Sequence, residues 1–214
     1  KVCSDSLFVQ RKHNAEVAWT YEDGVIINST VTVANDSVYF VESRNEKVKQ
    51  SQARRIGSPE LWQQQFLVAL DLRTGKKLWE KPLETVPGNV AFYMAAGDDA
   101  LVINASNDNK FEVTTYAAAD GTSRWSQTFS WFENKGDHGK AIQRPAIVGG
   151  RVYVRPKVLD LKSGEILSLE IPGGKCGTYA ATTKSIIFRT SNITMWNTAS
   201  GSASSWDRLR PGCW

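Results

Sequence analysis

Long apolar runs are missing from these 214 residues. No stretch of about 18 apolar residues occurs, so no membrane-spanning helix is predicted. Histidine is scarce, with only His13 and His138, and a metal site built on them would need carboxylate or thiolate help. Cysteine is limited to Cys3, Cys176 and Cys213. No G-x-S-x-G, H-E-x-x-H, Walker loop or C-x-x-C-H is found, which removes the best-marked hydrolase, zinc-protease, nucleotide and haem classes. A 3.6-residue apolar period is also lacking, which excludes a helical solenoid. There is no initiator Met and no signal peptide, and both ends read as cut.

What is present is tryptophan, eight in all, within a composition that is 41% hydrophobic. That is enough to bury a core as one domain. Leu67 to Leu83 shows how the tryptophans are used. It reads as two short strands around a turn at Thr74-Gly75, where glycine supplies a positive φ. Ala69, Asp71, Thr74, Gly75 and Trp79 define a pattern that recurs. Tyr116 to Trp125 keeps Gly121 and Trp125, with Ala117 for the aspartate. Val158 to Ser168 keeps Asp160 and Gly164. Met195 to Trp206 keeps Gly201, with Asn197 for the aspartate and its Trp one place late. Leu7 to Trp19 keeps Trp19 after an Asn14-Ala15 turn. The glycines fall roughly 40 residues apart, a period of propellers and solenoids. A second strand–turn–strand precedes each pattern, around Asn35-Asp36, Gly97-Asp98-Asp99, Gly149-Gly150 and Thr183-Lys184. Two hairpins per repeat make a four-stranded propeller blade, with strands A to D.

The Ala69–Trp79 pattern and its copies resemble the blades of pyrroloquinoline-quinone-type β-propellers. That group includes quinoprotein dehydrogenases and the propeller lipoprotein of outer-membrane protein assembly. The last third (QRPAIVGGRVYVRP, KCGT, SIIFR, RPGCW) is also similar to large secreted bacterial propellers of the planctomycete kind. The resemblance implies an all-β fold, a single domain over 1–214. It assigns strands C and D of one blade to 1–23, and further blades to 25–83, 90–129, 139–171 and 175–210. This is about four and a half blades, where a ring of seven or eight needs roughly 300 residues, so an arc of a larger ring is expected. Trp19, Asp71, Gly75, Trp79, Gly121, Trp125, Asp160, Gly164 and Gly201 are then structural, packing blades together rather than doing chemistry.

An insertion, Arg44 to Phe66, interrupts the first full blade between strands B and C, and loops of such length tend to be functional or disordered. Its first half, Arg44 to Arg55, holds much of the positive charge of a chain whose net charge is +4. A solvated loop and a patch for an anionic partner both fit. Neither is a nucleic-acid signature. In its second half, Ser58-Pro59-Glu60 predicts a short helix with Trp62 packed down. In a propeller, B-to-C loops and D-to-A crossings share one end of the ring, where binding is expected. That end gives the candidate binding residues Arg44, Arg54, Arg55, Trp62, His138, Arg144, Arg208 and Arg210. His138 beside Asp137 reads either as a contact residue or as an ordinary loop residue. Asn107-Asp108-Asn109 lacks the spacing of a calcium loop and reads as a hairpin turn. Sequons occur at Asn28, Asn35, Asn104 and Asn192. Cys176 and Cys213 lie on neighbouring crossings and are a possible disulfide, with Cys3 left single.

Quinone enzymes of the resembled group stack the cofactor on vicinal cysteines and hold calcium with Glu, Asn and Asp. No adjacent cysteines occur here, and the calcium ligands do not map onto this chain. No cofactor and no metal are expected, and no catalytic residue is assigned. The leading function is a non-catalytic periplasmic or secreted scaffold for a protein or ligand. The alternatives are part of a quinone-dependent oxidoreductase carrying the quinone with calcium, and a carbohydrate-binding propeller. A protein partner or further blades, with self-association through open blade edges, are the expected associations.

Overall fold

The computed structural model describes residues 1–53, 55–88, 90–131, 143–175 and 178–206. The fold is all-β, built of antiparallel sheets of the propeller-blade type. Two compact units are present. Unit 1 is Lys1–Pro87 with Ala117–Thr122, and unit 2 is Gly88–Tyr116 with Ser123–Trp214.

In unit 1 the central strands are β6 (Ser37–Ser43) and β7 (Gln65–Asp71), after β1 (Cys3–Ser4), β2 (Leu7–Gln10), β3 (Val17–Tyr21), β4 (Val25–Ile27) and β5 (Thr32–Ala34). Leu67, Val68, Ala69 and Leu70 are fully buried, because both faces of β7 are apolar and both are covered. Among the described residues the return strand β8 (Lys77–Leu83) pairs only with β7, so Pro82 lies on an edge strand, where proline is tolerated. The blade over 25–83 is more than two hairpins. Its sheet has six strands, in the order β1-β4-β6-β7-β8 with β5 also on β6. The expected first strand is broken by a 3-10 turn at Asn28–Thr30 into β4 and β5. Thr30 fills the break, donating to Ile27 O (2.7 Å) and accepting from Val41 N (2.8 Å). The segment 1–23 is corrected too. Only β2 and β3 form its hairpin, while β1 joins the following sheet through Cys3↔Ile27 and Ser4↔Ile26.

Unit 2 carries three four-stranded sheets. They comprise β9 (Phe92–Gly97) to β12 (Ser123–Ser130), β13 (Ala146–Val148) to β16 (Ile166–Glu170), and β17 (Ala180–Ala181) to β20 (Ala203–Trp206). The hairpin turns Asn35-Asp36, Asp98-Asp99, Asp108-Asn109 and Gly149-Gly150 all have both residues at positive φ. That is the turn whose twist matches paired strands. Asn107-Asp108-Asn109 is thus a hairpin turn.

The repeat is closest to identical in its backbone. Arg11, Asp71, Ala117, Asp160 and Asn197 each accept at their carbonyl from the N–H four residues on, at 2.9 Å in every case. Each donates its own N–H to the carbonyl five residues on, at 2.8 Å. The first copy has Ala15 at φ 58 where the others have glycine. The tryptophan of one repeat closes the turn of the next. Trp19 Nε1 donates to Leu72 O (2.9 Å), Trp79 Nε1 to Ala118 O (3.1 Å) and Trp125 Nε1 to Leu161 O (2.9 Å). A Cβ at Gly75, Gly121 or Gly164 would lie 2.6 Å from the indole above it. Gly201 is covered instead by Leu169, whose Cδ2 would lie 3.3 Å from such a Cβ.

Candidate functional site

The insertion leaves β6 at Arg44 and rejoins β7 through Gln64. Ser43 Oγ donates to Gln63 O (3.0 Å) and Arg44 N to Gln64 O (3.0 Å), which closes its neck. Gln64 sits at φ 52, a strained conformation for a side chain of this kind. Within the loop the chain forms α1 (Glu46–Lys49). Asn45 caps it, accepting from Lys47 N at 3.0 Å. A 3-10 turn follows at Pro59–Trp62, where the Ser58 side chain makes no capping bond to the backbone. Leu61, not Trp62, is the anchor: Leu61 is buried and Trp62 only half-buried. A single short turn points one side chain inward, and here that direction falls to Leu61; Val48 and Ile56 are the other buried apolar residues of the insertion.

This packing leaves the polar side chains outside. Asn45, Glu46, Lys47, Glu60, Gln63 and Gln64 line one open depression. Asn45 Nδ2 donates to Gln63 Oε1 (3.1 Å), and Lys47 Nζ stands 3.4 Å from Glu60 Oε1. The Glu60 backbone N–H, then the Ser58 hydroxyl and Lys47, hold the Glu60 carboxyl below the usual range. A second depression is lined by Arg44, Gln64, Gln65, Phe66, Pro82, Leu83 and Glu84. It joins the insertion to the segment that leaves β8, so within unit 1 the B-to-C loop and the D-to-A crossing meet.

Arg44 is not a free cation. Its fork grips Glu80 (Nη1–Oε1 3.2 Å, Nη2–Oε2 2.6 Å), and its Nε donates to Glu42 Oε1 (2.7 Å). The guanidinium also lies 4.1 Å from the centroid of Phe66. Arg44 thereby raises its own pKa, chiefly through Glu80, and pulls Glu80 down to about 2. Glu42 is fully buried and also accepts from Tyr21 Oη (3.0 Å), while its Oε2 has no hydrogen-bond partner. Burial pushes its carboxyl upward against the pull of Arg44 and Tyr21. The arrangement is a structural cross-link at the neck of the insertion, so Arg44, expected as a ligand contact, is already engaged by two carboxylates.

Of the other candidates, Arg55 is exposed, and its backbone bridges to Val2. Arg144, in unit 2, lies over the Tyr93 ring at 5.3 Å. Arg54, His138, Arg208, Arg210, Cys176 and Cys213 lie outside the described residues. Cys3 is a free, buried thiol. Residues missed from sequence were Tyr21, Glu42, Glu80 and Asn45. A signal for Glu42 was present, since it continues the alternation Val38, Phe40 on the core face of β6. Among the described residues no cluster of three or more His, Cys, Asp or Glu could hold a metal ion, and no helix is long and apolar enough to cross a membrane.

Residues 63–176 match the family described as outer membrane protein assembly factor BamB. The match covers more than half of the chain, and the chain belongs to that family. No curated protein matches it. Among solved structures it is similar to BamB from Moraxella catarrhalis, at 12% identity and a TM-score of 0.58, covering 97% of this chain and 60% of that one. It is also similar to the quinohemoprotein alcohol dehydrogenase of Comamonas testosteroni (14%, TM-score 0.58, 94% and 40%). A third likeness is to the exotype rhamnogalacturonan lyase YesX (12%, TM-score 0.56, 97% and 43%). The chain thus spans less than two thirds of the length of these proteins. At such identities the likeness shows the fold alone, a β-propeller shared by an assembly factor, a dehydrogenase and a lyase.

Proposed function

We propose that this member of the BamB family is a non-catalytic scaffold, periplasmic or secreted, whose Arg44–Phe66 insertion is its protein-binding surface. One observation carries the reading. The insertion is held as a body by buried Val48, Ile56 and Leu61 and by the Arg44–Glu80 fork, yet it turns Asn45, Glu46, Lys47, Gln63 and Gln64 outward. A rigid base with adaptable polar side chains suits recognition of another protein's surface at low ordering cost. The family description, an assembly factor, supports the same class. In this reading no quinone and no metal are used, and association through open blade edges adds to the scaffold.

The test places a photo-activated cross-linker at Lys47 or Gln64, and a control at Lys76 in a tight turn. Discrete adducts with one protein, formed from the insertion positions and not from Lys76, are expected. Equal adducts from all three positions, or none, would overturn the reading. Stoichiometric retention of pyrroloquinoline quinone after incubation with calcium and desalting would do so as well, in favour of an oxidoreductase.

A further inference from the structure

The polar network at the neck of the insertion closes on itself. Glu42 Oε1 accepts from Tyr21 Oη (3.0 Å) and Arg44 Nε (2.7 Å), and Arg44 forks onto Glu80. Lys77 Nζ lies 2.6 Å from Glu80 Oε2 and 3.0 Å from Asp23 Oδ2. Asp23 lies just past Tyr21 in the chain, which completes the ring. Among the described residues the ring sets Glu42, Glu80 and Asp23 against Arg44 and Lys77, so carboxylates outnumber cations. Glu42 is its one charged member that is fully buried. Its neighbours on the adjacent strands, Ile26 and Phe66, bring no charge. Its Oε2 has no hydrogen-bond partner and packs against Gly24, where an added Cβ would lie 2.9 Å away. A buried carboxyl with an unpaired oxygen favours its neutral form.

From this geometry we infer that Glu42 is a proton-operated lock on the neck of the insertion. A proton on Oε2 makes the ring neutral and holds the neck closed. With the carboxylate bare, the neck opens more often and lets water reach it. The coupling is short, because Ser43 and Arg44 follow Glu42 directly and carry the neck bonds to Gln63 O and Gln64 O. The proton comes from water during such a local opening, since Oε2 is buried while the neck is closed. Burial raises the Glu42 carboxyl above its ordinary 4.5, against Arg44 and Tyr21, and Asp23 adds to the rise. A group raised in the closed state stabilises that state fully below 4.5 and stops doing so as pH rises through the raised value. The neighbours do not blur this window. Glu80 is held at about 2, while Arg44, Lys77 and Tyr21 are all shifted upward. The lock goes beyond the binding reading and stands whether or not the insertion binds a protein.

Native-state hydrogen exchange at the Arg44 amide of the full chain tests it, with rates corrected for the intrinsic effect of pH. Between pH 4.5 and pH 7.5 protection should fall about threefold or more in the wild type. It should stay level in Glu42→Gln, which keeps the shape without the charge. Protection in β10 and β11 of unit 2 should not follow the fall. No fall in the wild type, an equal fall in Glu42→Gln, or a fall shared by β10 and β11 overturns the lock. Where the variant fails to fold, the carboxyl carbon shift of Glu42 in the wild type decides. A titration midpoint above 4.5 is expected, and one at or below it overturns the inference.

Discussion

The turn at Gly121 and the turn at Gly201 share one backbone and differ in what covers them. Both glycines donate to the carbonyl four residues back at 2.9 Å, with φ of 72 and 69. Over Gly121 lies the Trp79 ring, which also bonds Ala118 O. Over Gly201, among the described residues, lies the Leu169 methyl. At that copy an indole is still present, but from inside: Trp196 is fully buried and donates to Gly201 O at 3.0 Å. The backbone turn is therefore specified by left-handed glycine and its two bonds. The tryptophan from the preceding repeat is a separate layer, which sets how firmly one repeat is joined to the next.

Removing the cover should separate the two joints most. Trp79→Ala loses a large aromatic contact and an N–H bond, and should cost about 3 kcal/mol, the low end for a large aromatic because the ring is half-buried. Leu169→Ala should cost about 1 kcal/mol, since only part of one aliphatic side chain is lost. Urea denaturation followed by tryptophan fluorescence at the two joints measures both. Equal losses would mean that the indole adds nothing to the turn.

Filling the turn gives the next effect. Gly201→Ala meets the left-handed strain, about 1 kcal/mol, and a tight 3.3 Å approach to the Leu169 methyl, the end of a flexible side chain that can shift slightly. Gly121→Ala meets the same strain plus a clash with the indole, and should cost about 2 kcal/mol more, as overpacking does. Ala15 shows that the strain alone is tolerated, for it occupies the equivalent position at φ 58. If both variants lose the same stability, strain rather than the ring decides the residue type.

The ion pairs beside the covering residues come third. Glu80, next to Trp79, sits in the Arg44 fork, whereas Glu170, next to Leu169, pairs with Lys157 while remaining 55% exposed. Glu80→Gln should cost about 1 kcal/mol at pH 7, discounted because the group is a third exposed, and Glu170→Gln close to nothing. Because the folded-state value of Glu80 is lowered to about 2, its contribution is present above the ordinary carboxylate value of 4.5 and lost as pH falls toward 2. The gap between wild-type and variant denaturation midpoints should be smaller at pH 3 than at pH 7.

These contrasts follow the line between what sequence shows and what it hides. The blade fold and the turns could be read because their signals are local: a glycine, an aspartate four residues earlier and a tryptophan four later lie within one hairpin. That Trp79 covers Gly121 rather than Gly75 was not legible, since the partner lies a whole repeat away. The insertion was visible as an over-long loop, but its anchor was misassigned to Trp62, because a helical turn read from Ser58-Pro59-Glu60 does not fix which side chain faces inward. The role of Arg44 was obscured by its charged neighbours. Only the pairing of β6 with β7, and of β7 with β8, brings Glu80 to it. Strand β1 carried no signal at all, because two paired residues show no period.

The smallest expected difference lies in the first turn residue, Asp160 against Asn197. Asp160 Oδ1 accepts from Lys162 N (3.0 Å), Ser163 N (2.7 Å) and Ser163 Oγ (2.9 Å). Asn197 Oδ1 accepts from Ala199 N and Ser200 N, both at 2.9 Å. The two backbone bonds are the same; the charge differs, and so does the hydroxyl bond, because Ser200 Oγ pairs with Ser202 Oγ instead. The backbone bond from Ser163, and then its hydroxyl, hold the Asp160 carboxyl below its ordinary value of 3.8. A carboxylate held low stabilises the fold above the unfolded value and stops doing so as pH falls through the folded one. Asp71 follows the same rule, with the Thr74 hydroxyl as the main cause. Asp160→Asn should therefore leave stability at pH 7 nearly unchanged, flatten its fall below pH 4, and make this turn behave as the Asn197 turn already does. Carboxyl chemical shifts followed through an acid titration give the Asp160 value directly. A midpoint at or above 3.8 would show that the turn does not prefer the charged form, and the two residue types would then be interchangeable there.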